Sequence, residues 1–258
     1  LWIKIMAYSS ITKPTDYFNT ILWTGNGSAG TGQTGVGFQP DFTWIKARSG
    51  TQGAQSHILN DAVRGAGKYL FSDSNDAEST DTNRLTSFDS DGFTVGSNNA
   101  VNASSTTYVA WNWLGANGTS SNSDGSITST VSANTTAGFS VVKYTGAGSG
   151  TTTTIGHGLG GVPEMYIVKS LDSVGNWQTY HHKMSSAPET DYMQLDNTSA
   201  VADYTFWGDT APTSTVFTVK DGNDVNESGE EYIALCFRGI KGYSKFGKYT
   251  GNGNADGP

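Results

Sequence analysis

The sequence predicts an all-β fold: two tandem antiparallel β-sandwich domains of jelly-roll or lectin-like type, followed by a partial third repeat. Three observations carry this reading. The chain has 33 Gly against 6 Pro and only 15% charged residues, and the residues that favour long helices are scarce. Its apolar runs are short, aromatic and β-branched, and they are bounded by Gly, Asp, Asn and Pro. It also repeats itself, block by block and in the same order.

Each repeat opens on an aromatic strand that ends in a glycine turn. Trp23-Thr24-Gly25-Asn26-Gly27 recurs as Tyr144-Thr145-Gly146-Ala147-Gly148 and again as Tyr249-Thr250-Gly251-Asn252-Gly253. Phe42–Lys46 follows the first copy and Met165–Lys169 the second, each behind a proline. Tyr69 and Asp73 then match Tyr192 and Asp196, Phe93-Thr94-Val95 matches Phe217-Thr218-Val219, and Tyr108–Trp111 matches Tyr232–Leu235. Turn signals at Asp91-Gly92, Asp124-Gly125 and Asp221-Gly222 separate the runs. Ala54–Gly65 and its match Thr179–Ala187 read as loop or short helix.

The domain plan follows from these blocks. Residues 1–16 form an N-terminal arm, 17–114 the first sandwich and 138–241 the second. Residues 115–137, rich in Gly, Ser, Thr and Asn, read as a flexible or extended linker. Residues 242–258 read as the first strand of a third repeat, or as a C-terminal strand exchanged with another subunit. Leu1–Ile5 precede the first methionine and read as an upstream extension.

Composition excludes several classes. A net charge of -8 gives no basic footprint for nucleic acid. No apolar run is long enough for a membrane-spanning helix, and Leu1–Ile5 is too short for the core of a secretory signal. One cysteine, Cys236, rules out an intrachain disulfide and a Cys-rich zinc site.

The chemical motifs are mostly explained by turns. Gly25–Gly30 matches G-x-G-x-x-G, but no helix pattern follows to hold a pyrophosphate. His57 and His181 fall at matching alignment positions, which favours packing, and His181/His182 point to opposite faces of a strand. Calcium is the one cofactor the residues suggest, at Asp73, Asn75 and Asp76 and at Asp221, Asn223 and Asp224, where oxygen ligands cluster in loops. The same residue types dominate ordinary turns. No pair of carboxylates stands out as a glycosidase pair, so no catalytic residue is assigned. Trp177, Tyr180 and Trp207 are the aromatic candidates for stacking on a glycan. The six N-x-S/T sites, at Asn26, Asn102, Asn117, Asn134, Asn197 and Asn226, are about what this composition gives by chance.

The blocks Met6–Pro14, Gly37–Lys46, Ser87–Thr94, Tyr108–Trp111 and Gly242–Gly253 resemble virion proteins of marine, cyanophage-like tailed phages. Those proteins carry YTGNG and GFxPDFxWIK repeats and a domain of unknown function. The resemblance implies a non-enzymatic virion component, either a tail fibre or appendage or a capsid-decorating protein. It would be exposed on the particle surface, with copies of itself and other capsid or tail proteins as partners. It also implies a chain that continues past Pro258. The alternative expectation is a lectin-like module that binds host-surface glycans.

Overall fold

The computed structural model describes residues 8–50 and 55–257, so the expectations for Leu1–Ile5 and Pro258 lie outside the described residues. The first unit contains β1 (Phe18–Thr24), β2 (Thr31–Thr34), β3 (Phe42–Ala47), β4 (Ile58–Asp61), β5 (Lys68–Phe71), β6 (Ser79–Thr80), β7 (Leu85–Asp89), β8 (Gly92–Val95), α1 (Asn99–Asn102) and β9 (Thr107–Trp113). Then come β10 (Ser120–Asn122), β11 (Ser129–Asn134), β12 (Phe139–Thr145), β13 (Thr153–Gly156), β14 (Met165–Ser170), β15 (Gln178–His181), β16 (Asp191–Gln194), β17 (Ala202–Asp203), β18 (Val216–Val219), α2 (Asn223–Asn226) and β19 (Glu231–Phe237).

Each unit pairs a large sheet with a small one. The large sheets have orders β1-β9-β3-β4-β5-β6 and β10-β11-β12-β19-β14-β15-β16-β17, and the small ones β2-β8-β7 and β13-β18. The strand pairings are antiparallel throughout. The common order places β12, β19, β14, β15, β16 and β17 where the first unit has β1, β9, β3, β4, β5 and β6. The chain is therefore duplicated in three dimensions as well as in sequence.

Three buried clusters order the sheets as layers. Ile45, Ile58 and Ala110 of the first large sheet pack on Phe93, Val95 and Leu85 of its small sheet. Tyr166, Val168 and Tyr232 of the second large sheet pack likewise on Ile155, Phe217 and Val219. The third cluster joins the units: Phe42, Leu59 and Leu70 meet Phe139, Val141, Ile167, Ile233 and Leu235. The layers thus run small, large, large, small, with the two large sheets back to back. Burial on both faces explains why, after Glu231, β19 reads Tyr-Ile-Ala-Leu-Cys-Phe without a charged position. Ile233 and Leu235 point to the central layer, and Tyr232, Ala234 and Cys236 to the second unit's own core.

Three expectations change. Residues 115–137 are no free linker, because β10 and β11 lie within them and β11 extends the second large sheet through β12. Asp41 pins the start of this segment: its carboxylate accepts from Gly115 N at 2.8 Å, Asn117 N at 3.0 Å and the Ser132 hydroxyl at 2.9 Å. The described parts of Ala54–Gly65 and Thr179–Ala187 are not helical either. They hold β4 and β15, whose residues are buried except His181, which is half-buried. Finally, residues 242–257 form no strand; Ile240 and Ser244 make an isolated bridge, and Tyr249 is 81% exposed.

The glycine turn owes its form to a buried asparagine. Asn102, at the end of α1, takes Asn26 N onto its side-chain oxygen and donates to Ser28 O and Gly96 O. Asn226 does the same for Ala147 N, Gly148 O, Thr151 O and Lys220 O. A side chain at Gly25 would place its first carbon 2.3 Å from Ala103 O, and one at Gly146 2.2 Å from Glu227 O. Glycine is required there because backbone approaches backbone. Beside each turn the aromatic stacks on a tyrosine, Trp23 on Tyr108 and Tyr144 on Tyr232, both at 5.2 Å and 17°.

Candidate functional site

The two large sheets do not cover each other completely. Strand alternation puts Tyr108, Ala110 and Asn112 of β9 on one side and Val109, Trp111 and Trp113 on the other. Register places Thr20, Trp111 and Trp44 in one row across β1, β9 and β3, and Phe18, Trp113 and Phe42 in the next. Phe42 is sealed in the central layer, but Trp44, Trp111 and Trp113 are half-buried and Thr20 is exposed. Leu22, in the row beyond, is 62% exposed. The uncovered half of the sheet forms an open cleft of about 290 Å³, lined by Phe18, Trp44, His57, Trp111 and Trp113.

The cleft has an apolar floor and a fixed polar edge. Phe18 and Trp113 lie 4.8 Å apart, and Trp44 stands nearly perpendicular to His57. The Trp44 indole N–H donates to His57 Nδ1 at 2.8 Å. That bond leaves the imidazole proton on Nε2, which makes Nε2–H a donor at the cleft. Burial and the Lys46 charge hold the His57 pKa below its ordinary value, against a weaker pull from Asp73, so the ring is neutral at pH 7. The indole N–H groups of Trp111 and Trp113 donate to no group among the described residues. An adjoining pocket of about 220 Å³ shares Phe18 and Trp113 and continues along the seam to Phe139, Phe237, Tyr243 and Phe246.

None of the three expected glycan contacts is accessible. Trp177 is 1% exposed and donates to Phe71 O and Ser74 O of the first unit. Tyr180 is buried and stacks on Tyr166 at 4.7 Å; Trp207 is fully buried and donates to Asp191 O. These side chains fill cores: Trp177 the central layer, Tyr180 and Trp207 the second unit's own sandwich.

The calcium candidates have side chains or carbonyls engaged in protein hydrogen bonds. Asp73 accepts from His57 N, Asp76 from the Ser74 hydroxyl, and the Asn75 carbonyl from Gly175 N. Asp221 accepts from the Thr205 hydroxyl, Asp224 accepts from Gln178 at 2.5 Å, and exposed Asn223 gives its carbonyl to Tyr232. Among the described residues no group of three or more His, Cys, Asp or Glu is placed to hold a metal.

His57 and His181 are not structural counterparts. Phe42 faces Asp61 where Met165 faces His181, so His181 corresponds to Asp61. His57 corresponds to Trp177: each offers its backbone N–H to an equivalent aspartate, Asp73 or Asp196. Two of the N-x-S/T asparagines, Asn102 and Asn226, are fully buried and closed to glycosylation.

The cleft had a signal in the sequence, where the repeats stop matching in kind. Trp44 and Trp111 of the first unit stand where the second has Ile167 and Leu235. The aliphatic pair is buried in the central layer, whereas the tryptophans are half-buried and line the cleft at that layer's margin.

A family model described as a domain of unknown function (DUF7483) matches residues 13–258. No curated protein and no solved structure matches the chain.

Proposed function

The chain belongs to the DUF7483 family, and, on the resemblance of its sequence blocks to phage virion proteins, we propose that it is a non-enzymatic structural and adhesive component of a bacteriophage particle. It serves as part of a tail fibre or appendage, or as a capsid decoration, in contact with copies of itself and with other capsid or tail proteins. The observation that supports this reading is the back-to-back packing of the two large sheets. Two sandwiches joined by a continuous apolar layer make a stiff block suited to bearing load and presenting a surface. A binding module needs such a scaffold, since a contact held on rigid elements loses less entropy on engagement.

Immunogold labelling of purified phage particles tests the assignment. Labelling of the tail or capsid exterior is expected, and particles free of the protein would reject it. A second reading, a lectin-like module for cell-surface glycans, is favoured by one observation: the aromatic cleft left uncovered on the first unit.

A further inference from the structure

We infer that the cleft lined by Phe18, Trp44, His57, Trp111 and Trp113 is a binding subsite for the ring of a neutral hexopyranose in a glycan. Three features on the molecule fit that chemistry together. The floor is almost wholly aromatic, with Trp44 and Trp111 adjacent across β3 and β9. An aromatic face carries negative potential and attracts the outward C–H groups of a sugar ring, whose apolar face matches it in shape. The edge provides donors: His57 Nε2–H, whose tautomer is set by the Trp44 indole, and the indole N–H groups of Trp111 and Trp113, which have no partner among the described residues. Sugar hydroxyl oxygens accept from such donors. Among the described residues no carboxylate lines the cleft, and the imidazole is held neutral, which suits an uncharged ring. The volume of about 290 Å³ lies at the small end of ligand pockets and suits a single ring with its neighbours outside.

Comparison of the repeats supports the assignment. A shared fold requires an apolar residue at these positions, and the second unit meets that need with Ile167 and Leu235 in the central layer. In the first unit the same positions carry tryptophans that are only half-buried, Trp44 packing on the edge of that layer while both line the cleft.

The inference deepens the glycan-binding reading and is independent of where the protein sits on a particle. The experiment is titration of the purified 258-residue chain with galactose- and glucose-terminated oligosaccharides, after an array screen. Indole N–H chemical shifts and calorimetry supply the readouts. The expected result is saturable shifts of the Trp111 and Trp113 signals. Affinity should fall about tenfold or more in Trp111→Ala, in line with the loss of one stacked aromatic contact. Thr20→Glu, on the exposed side of the same row, serves as a second variant that leaves the cores untouched and should also weaken binding. Wild-type affinity should drop on acidification, because protonating His57 Nδ1 breaks the Trp44 bond; Lys46 and Asp73 are the charged groups acting on that ring. His57→Gln should abolish that pH dependence. No binding by any neutral pyranose, or unchanged affinity in folded Thr20→Glu and Trp111→Ala, overturns the proposal. Glycan-independent self-association that buries Trp111 overturns it too, in favour of a second copy as occupant. Failure of the virion reading would show as absence from particles with these affinities intact.

Discussion

Asn102 and Asn226 are small polar residues that carry a disproportionate share of the order. Each is fully buried and ties a glycine turn to the four-residue helix that contains it. Replacing Asn102 by alanine removes donors from Ser28 O and Gly96 O and an acceptor from Asn26 N. Each buried group left unpaired costs about 1–3 kcal/mol, so Asn102→Ala and Asn226→Ala should each lose roughly 3 kcal/mol in urea denaturation. A loss below about 0.5 kcal/mol would show that water replaces the side chain. In the sequence these residues were visible only as parts of N-x-S sites, since asparagine is common in exposed turns. Lys169 supplies a second test at this scale. Its ammonium is buried and donates to Ser170 O and Ser173 O, and burial lowers its pKa from 10.5 to about 8. Between those values the unfolded chain keeps a proton that the folded chain has released, so this residue's contribution to stability rises with pH. Buried Tyr144, Tyr166 and Cys236 have raised pKa values and act in the opposite direction as pH rises toward and past their ordinary range. The difference between wild type and Lys169→Met isolates the lysine. It should shift in favour of wild type between about pH 7.5 and 9.5, and a pH-independent difference would refute the assignment.

At the level of elements, existence and order were legible while register was not. The short apolar runs located β3, β9, β12, β14 and β18 because alternation and aromatic content survive without tertiary context. β4 and β15 were read as loop or short helix because burial on both faces lets Asn60, Asp61, Gln178 and Thr179 sit inside, which erases the polar alternation. The same difficulty misaligned His57 with His181, since the loops before the two strands differ in length and only the β3–β4 and β14–β15 pairings fix the match. Trp177, just before β15, shows what the corrected register means. Its indole N–H reaches across to Phe71 O and Ser74 O, and backbone bonds from Gly175 to Asn75 and from Glu78 to Leu171 flank it. This loop therefore fastens the second unit to the edge of the first. Trp177→Phe keeps most of the apolar volume and removes the donor, so it should cost about 1–3 kcal/mol. Amide hydrogen exchange should quicken in residues 71–78 as well as around β15, and exchange confined to the second unit would refute the fastening role.

For the whole molecule, duplication was legible and its consequence was not. Two repeats separated by a Gly/Ser/Thr/Asn-rich stretch suggest beads on a flexible string, yet each large sheet covers much of the other's outer face. The reason lies in residues that serve two cores at once: β3, β14 and β19 alternate between a unit's own sandwich and the shared layer. The third copy of the turn motif lacks this context. Tyr249 is 81% exposed, and among the described residues nothing lies within 4 Å of a side chain's first carbon at Gly251 or Gly253, so the motif alone does not make the structure. A shared central layer predicts that neither unit melts alone. Independent domains give two calorimetric transitions, whereas units whose large sheets would each expose an apolar face on separation should unfold together. Scanning calorimetry of the full chain should show one transition, with the calorimetric and van't Hoff enthalpies agreeing. Phe139 lies in that layer, 6.0 Å from Phe42, 6.1 Å from Trp113 and 5.2 Å from Phe237. Phe139→Ala should therefore lower the whole transition by about 3–5 kcal/mol, even though the substituted residue belongs to the second unit. Two resolved transitions in wild type, or a variant in which only one of two moves, would mean that the central layer is a contact between independent domains.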